Sequence, residues 1–263
     1  MYKDLPNVPN SVQEATFGSY RGRSLVMGGY KSKGQCLEFD QEEYQVIPSL
    51  NVNRFVAAST LIQNKVVVVG GWDDDLGHHL GHQSLNTIEI LDWDESNHGS
   101  QWIKSPSKMP MKVNGHTLVT FNDKLYLIGG NGNLDTIWEG SFDKLSNTVT
   151  WVKLGLRLQK KRERHFSFVI SNQIISFGGR YYGEDYGEDF IEILEEKELK
   201  QGPKLPCRLD NYYDQAVLDR KNRIIITSEK HGLIIYDHEV GKFQSFPNFK
   251  LREVRTRYAA ILQ

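Results

Sequence analysis

The sequence predicts an all-β fold in which four-stranded antiparallel blades repeat radially as a β-propeller. Three observations carry the prediction. A β-rich apolar run ending in Gly-Gly occurs four times, each copy lies among other short apolar strands, and no stretch sustains the 3.6-residue apolar period of a helix. One four-stranded blade cannot bury both of its faces alone. Packing blades around an axis buries those faces mutually and leaves only short edges.

The repeated strand sets the frame. Its copies are SLVMGG ending at Gly28-Gly29, KVVVVGG ending at Gly70-Gly71, KLYLIGG ending at Gly129-Gly130 and QIISFGG ending at Gly178-Gly179. Their first glycines lie 42, 59 and 49 residues apart, and a fifth copy, RIIITSE, puts Thr227-Ser228 at the same place another 49 residues on. Before each copy runs a first strand, at 55–62, 116–121, 165–170 and 215–218. The pairs Gln63-Asn64, Asn122-Asp123 and Asn172-Gln173 supply tight hairpin connections between first and second strands. Third strands follow at 35–39, 87–91, 135–138, 190–194 and 233–236, and fourth strands carry Tyr44, Trp102, Trp151 and Phe243. Residues 195–198 read as a solvated turn. The glycine pairs mark a sharp turn beside a neighbouring backbone.

This order of apolar strand, Gly-Gly, loop, aromatic-Asp and later aromatic resembles the kelch repeat. The pairs are Phe39-Asp40 before Tyr44, Leu91-Asp92 before Trp102, Phe142-Asp143 before Trp151 and Tyr236-Asp237 before Phe243. The resemblance covers residues 20–263; the fifth Gly-Gly is missing, the fourth unit lacks the aromatic pair, and the second carries an insertion after its glycines. It implies a kelch-type propeller, with five blades favoured over six. Residues 257–262 resemble a first strand with nothing after it and are expected to close the ring by completing the first blade. Residues 1–20 are then a leader or partial strand and 21–263 the propeller. The six-bladed alternative makes 14–20 a first strand and 2–6 the last strand of a fragmentary sixth blade.

Composition narrows the function. Acids (33) and bases (32) nearly cancel, so whole-chain charge gives no reason to expect nucleic acid or an anionic membrane as partner. Cys36 and Cys207 lie far apart without metal-ligand spacing, which reads as reduced thiols rather than a secreted disulfide framework. The first residues lack the apolar core of a signal peptide, and the apolar runs are strand-sized. A soluble, cytoplasmic protein is expected.

Loops that lead into each blade and loops after each Gly-Gly share one side of the disc, which in similar kelch adaptors is the partner face. Candidate contacts there are Arg54, His116, Arg164, His165, Arg180, Arg208, Tyr212, Arg257 and Tyr258. Arginine pairs carboxylates bidentately, and Arg and Tyr are enriched at interface hot spots, so an acidic or phosphorylated protein segment is the expected partner. The alternative is that these arginines bond backbone carbonyls as framework. The four carboxylates within 180–189 are expected to compensate the basic stretch 160–164 rather than to bind calcium.

No cofactor is expected. Asp74, His78 and His82 sit in a polar, glycine-containing loop and are the candidates for a metal. Kelch-type enzymes of the oxidase kind use a Cys–Tyr cross-link, and neither cysteine has a credible Tyr/His set. Asp74 and His78 match two positions of the iron site in plant specifier proteins, but Gly70 holds the first. No phosphate loop or nucleophile elbow occurs. The expectation is a protein–protein interaction module and not an enzyme. The resemblance implies a role like that of the substrate receptors in BTB–kelch ubiquitin ligases, without a docking domain in this chain. A metal-dependent kelch-type enzyme and an actin-binding scaffold are the alternatives.

Overall fold

In the computed structural model, residues 13–40, 43–73, 83–93, 100–180, 190–195, 197–209, 214–228 and 230–249 are described, and none of them is helical. Five four-stranded antiparallel blades form a β-propeller. The first blade is β1 (Thr16–Tyr20), β2 (Arg23–Met27), β3 (Cys36–Asp40) and β4 (Glu43–Ile47), paired in that order. The second runs β6 (Ala58–Ile62), β7 (Lys65–Val69), β9 (Leu85–Asp92) and β10 (Gln101–Val113), with a side pair of β5 (Arg54–Phe55) and β8 (Trp72–Asp73). The third is β11 (Thr117–Phe121), β12 (Lys124–Ile128), β13 (Thr136–Asp143) and β14 (Thr148–Arg157). The fourth is β15 (Phe166–Ile170), β16 (Gln173–Phe177), β17 (Phe190–Glu195) and β18 (Glu198–Lys204). The fifth is β19 (Asp214–Leu218), β20 (Arg223–Ser228), β21 (Gly232–Asp237) and β22 (Lys242–Phe246).

The described residues up to Asn114, with Asn122–Leu125 and Glu139–Val152, make one compact unit; Gly115–Phe121, Tyr126–Trp138 and the described residues from Lys153 onward make a second. In the first unit, Leu25, Met27 and Cys36 pack with Val66, Val68 and Leu91, joining the first two blades. In the second, Ile128 and Ile137 pack with Ile174 and Leu194, and Ile175 and Phe177 pack with Ile224 and Tyr236. The second strands β2, β7, β12 and β16 are buried on both faces over their last four residues. Their continuous apolar runs, in place of alternation, follow from that two-sided burial.

The glycine pairs tie each blade to the next. The amide of the second glycine donates to the carbonyl of a residue leading into the following blade: Gly29 to Arg54 at 2.9 Å, Gly71 to Val113 at 2.9 Å, Gly130 to Arg162 at 2.9 Å and Gly179 to Leu209 at 2.7 Å. A Cβ at Gly28 would lie 2.4 Å from the Arg54 carbonyl oxygen, and one at Gly129 2.6 Å from that of Arg162. Both glycines have positive φ, 67° and 58°. Any side chain there must displace the neighbouring backbone.

The hairpins follow local turn chemistry. Arg21-Gly22, Gln63-Asn64 and Asn122-Asp123 hold positive φ at both positions, as a type I′ turn requires. The fourth-blade turn is Ser171-Asn172, one residue earlier than Asn172-Gln173, because Ile170 pairs with Gln173. The first blade also corrects an expectation. Thr16–Tyr20 pairs with Arg23–Met27 and takes the first-strand position that 257–262 were expected to fill. A two-residue turn closes that hairpin locally, whereas recruiting residues from the far end of the chain carries a larger loop-closure entropy. Residues 2–6 and 257–262 lie outside the described residues.

Gly28→Ala and Gly129→Ala are each expected to cost about 2–4 kcal/mol, the sum of left-handed strain and overpacking. Gly22→Ala, with φ 80° but nothing within 4 Å of its Cβ, should cost about 1 kcal/mol. Urea denaturation of the three variants checks the ranking, and equal losses would contradict the close-approach argument.

Candidate functional site

The loops leading into the second and fourth blades share one construction. Arg54 and Arg162 each lie 16 residues before the first glycine of their blade and donate from Nη1 to its carbonyl, Arg54 to Gly70 at 2.8 Å and Arg162 to Gly178 at 2.6 Å. Each reaches a glutamate on the third strand through Nη2, Arg54 to Glu89 and Arg162 to Glu192, both at 2.7 Å. Each glutamate also accepts the backbone amide of the residue three before its arginine, Asn51 at 2.7 Å and Gln159 at 2.5 Å. Arg54 and Glu89 are both fully buried. Desolvation holds the Arg54 pKa below its ordinary value, opposed by the charge of Glu89.

The third blade solves the same problem with one side chain. Arg54 Nη1 bridges the carbonyls of Gly70 and Thr87. In the third blade Asn133 Nδ2 bridges the equivalent carbonyls of Gly129 and Thr136, at 3.0 and 3.1 Å. The requirement is the buried carbonyl pair, and either amide or guanidinium meets it.

Several of the residues expected as partner contacts are buried. Arg54 is spent on Glu89 and the Gly70 carbonyl, so it is framework and not a surface contact. His116, Arg164 and His165 are also buried, at 4%, 7% and 1% exposure. His165 Nε2 meets Thr117 Oγ1 at 3.0 Å, and Thr117 continues to Ser167 at 2.7 Å, a polar link between the neighbouring first strands β11 and β15. Desolvation, then the charges of Arg162 and His116, hold the His165 pKa well below 6.5, so it is neutral at pH 7. Arg208 is exposed. Tyr212, Arg257 and Tyr258, and the metal candidates Asp74, His78 and His82, lie outside the described residues. Among the described residues no group of three or more His, Cys, Asp or Glu is placed to hold a metal.

What reaches the surface is the residue directly after each Gly-Gly. In the second blade β5 pairs with β8, and Phe55 stands opposite Trp72 with ring centroids 5.4 Å apart. Tyr30, the residue after the first Gly-Gly, also packs against Phe55, with ring centroids 5.4 Å apart. The equivalent pair in the fourth blade is Glu163 and Arg180. Their backbones bond both ways, at 2.8 and 2.9 Å, and their side chains form an ion pair at 3.7 Å. This links the basic stretch 160–164 to the start of the acidic loop. Tyr30, Trp72 and Arg180 are all part-exposed. Tyr30 and Trp72 escape the sequence reading; their signal is the position after Gly-Gly, occupied by Tyr, Trp, Asn and Arg in the four blades.

The cysteines are chemically quiet. Burial pushes the Cys36 thiol up to about 12 and the half-buried Cys207 thiol up to about 11, so neither is a ready thiolate at neutral pH.

Comparison with known proteins agrees with this geometry. The Kelch motif matches residues 57–107, which cover most of the second blade. Kelch-like protein 15 of Mus musculus and of Homo sapiens are each 22% identical over 217 residues, 71% of this chain. That of Danio rerio is 22% identical over 214 residues. The matched region spans about a third (34%) of the length of the mouse protein. The solved structure of YjhT superposes with a TM-score of 0.75 over 97% of this chain and 88% of its own, at 13% identity, which shows the fold alone.

Two outcomes test the buried frame. Glu89→Ala strands the Arg54 charge and should cost about 3–5 kcal/mol, most of it recovered in an Arg54→Met, Glu89→Leu double variant. The second concerns pH. The unfolded chain protonates His165 near pH 6.5 while the folded chain does not, so stability should fall as pH drops below 6.5. The slope from this group is at most about 1.4 kcal/mol per pH unit. Urea midpoints between neutral and mildly acidic pH should fall less steeply in His165→Asn than in the parent.

Proposed function

Given that this chain is a kelch-repeat β-propeller, we propose that it is a protein-interaction module and that its partner meets the loops after the Gly-Gly pairs. The observation that carries the reading is the contrast between constant frame and variable head. Blades two and four share the same buried arginine, glutamate and glycine-carbonyl contacts. The cross-strand pair above that frame is Phe55–Trp72 in one and Glu163–Arg180 in the other. Trp, Tyr and Arg on a rigid base are the side chains that anchor interfaces, because they bring large contact area at low entropy cost.

The finer reading is recognition of an acidic or phosphorylated segment. Arg180 and Arg208, both in the second unit, supply the guanidinium groups for it. In the cell such a module acts as the substrate-recognising part of an adaptor.

Quantitative pull-down of partners with Trp72→Ala and with the Arg180→Ala, Arg208→Ala pair checks this. An anchor of hot-spot quality, about 2 kcal/mol, should weaken the apparent Kd about 30-fold. Unchanged recovery by folded variants would overturn the assignment of this face. For the adaptor role, depletion of the protein should raise partner levels, and proteasome inhibition should abolish that difference.

A further inference from the structure

The outer strand of the second blade carries a feature that the binding reading does not use. Strand β10 pairs regularly with β9 from Gln101↔Asp92 to Lys104↔Glu89, then slips, and resumes at Lys108↔Thr87. The bulge holds Ser105-Pro106-Ser107. Inside it the two hydroxyls lie 2.8 Å apart, and both reach the start of β14 in the next blade. Ser105 Oγ donates to the Asn147 carbonyl at 2.7 Å, and the Val149 amide donates to Ser107 Oγ at 2.8 Å. Two side chains thus take the backbone donor and acceptor of an edge strand, the place of a missing ladder partner. All four residues belong to the first compact unit.

We propose that Ser105 is a phosphorylation site for a proline-directed serine kinase, and that its modification releases this clamp. The serine precedes Pro106, which biases it toward extended backbone, and it lies on an exposed outer edge in that form. Lys104, Pro106 and Lys108 around it are exposed, and Ser105 itself is part-exposed. The two lysines offset the charge that a phosphate brings. In the transfer, Ser105 Oγ attacks the terminal phosphorus of a nucleoside triphosphate. The bond from that phosphorus to the bridging oxygen breaks, the diphosphate leaves, and the hydroxyl proton passes to the kinase base. The phosphoserine has lost the donor that Asn147 accepted, and it sets an anion against a carbonyl oxygen. The clamp opens and the edge of β14 is freed.

The test uses the intact chain with Mg-ATP and a proline-directed serine/threonine kinase. One phosphoryl group should appear on Ser105 by mass spectrometry and be absent in Ser105→Ala. Amide exchange at Val149 should then rise about fivefold, the worth of one hydrogen bond near 1 kcal/mol. Ser107→Ala should show the same faster exchange without kinase while still accepting phosphate at Ser105. No incorporation into the folded chain, when a peptide of residues 101–113 is modified, overturns the site. Incorporation with unchanged exchange at Val149 overturns the release.

Discussion

Backbone meets backbone where each blade touches the next, and most of the rest follows from the space available there. The second glycine of a pair gives its amide to the carbonyl of the incoming chain, in four successive joints of 2.7–2.9 Å. At Gly28 and Gly129 the approach leaves 2.4 and 2.6 Å for a Cβ that is not present. Blades that close in this way bury their second strands on both faces, which is why those strands are runs of Val, Ile and Leu. The chain thereby commits one carbonyl per blade to a neighbour. It must still satisfy the carbonyl of the first glycine, which faces the interior.

Arg54, Arg162 and Asn133 answer that second demand. Burying a guanidinium is costly, and in both arginines Nη1 and Nη2 are spent on carbonyl and carboxylate partners that offset the cost. Glu89 does more than balance charge: it also accepts from the Asn51 amide and side chain and from the Val52 amide, so it fixes the loop that delivers Arg54. Glu192 does the same for the loop before Arg162 through Gln159. The ion pair is therefore a loop-shaping device as much as an electrostatic one. It gives the residue next in the chain, Phe55 or Glu163, a defined place from which to meet the residue after Gly-Gly.

The strands were legible because their signals are local. Gly-Gly after an apolar run, and Gln63-Asn64 or Asn122-Asp123 between runs, each report a conformation that few residues tolerate. The first strand of blade one is an exception: Thr16–Tyr20, with Gly18 and Ser19 inside it, has a weaker apolar pattern than 257–262, so the sequence points to the wrong end of the chain for it. The roles of the arginines were not legible. Arg54 and Arg180 look alike in sequence, both in loops beside glycines or aromatics, yet one is fully buried and the other part-exposed. The difference lies in which carbonyl each can reach, a property of distant strands. The equal spacing of 16 residues from Arg54 to Gly70 and from Arg162 to Gly178 was the available clue, and it identifies frame rather than face.

A frame repeated in this way changes what the loops are free to do. Because the glycine amides and the buried arginines fix the backbone, the side chain after Gly-Gly bears no structural duty common to all blades. Trp72 packs on Phe55 in one unit and Arg180 pairs with Glu163 in the other, on equivalent backbone pairs. Substituting such a head alters chemistry without altering the joint beneath it. Side chains held in this way lose little conformational freedom in any contact they make. The same logic separates two kinds of arginine: Arg54 and Arg162, fully buried, secure the shape of the frame, whereas Arg180 and Arg208 reach solvent.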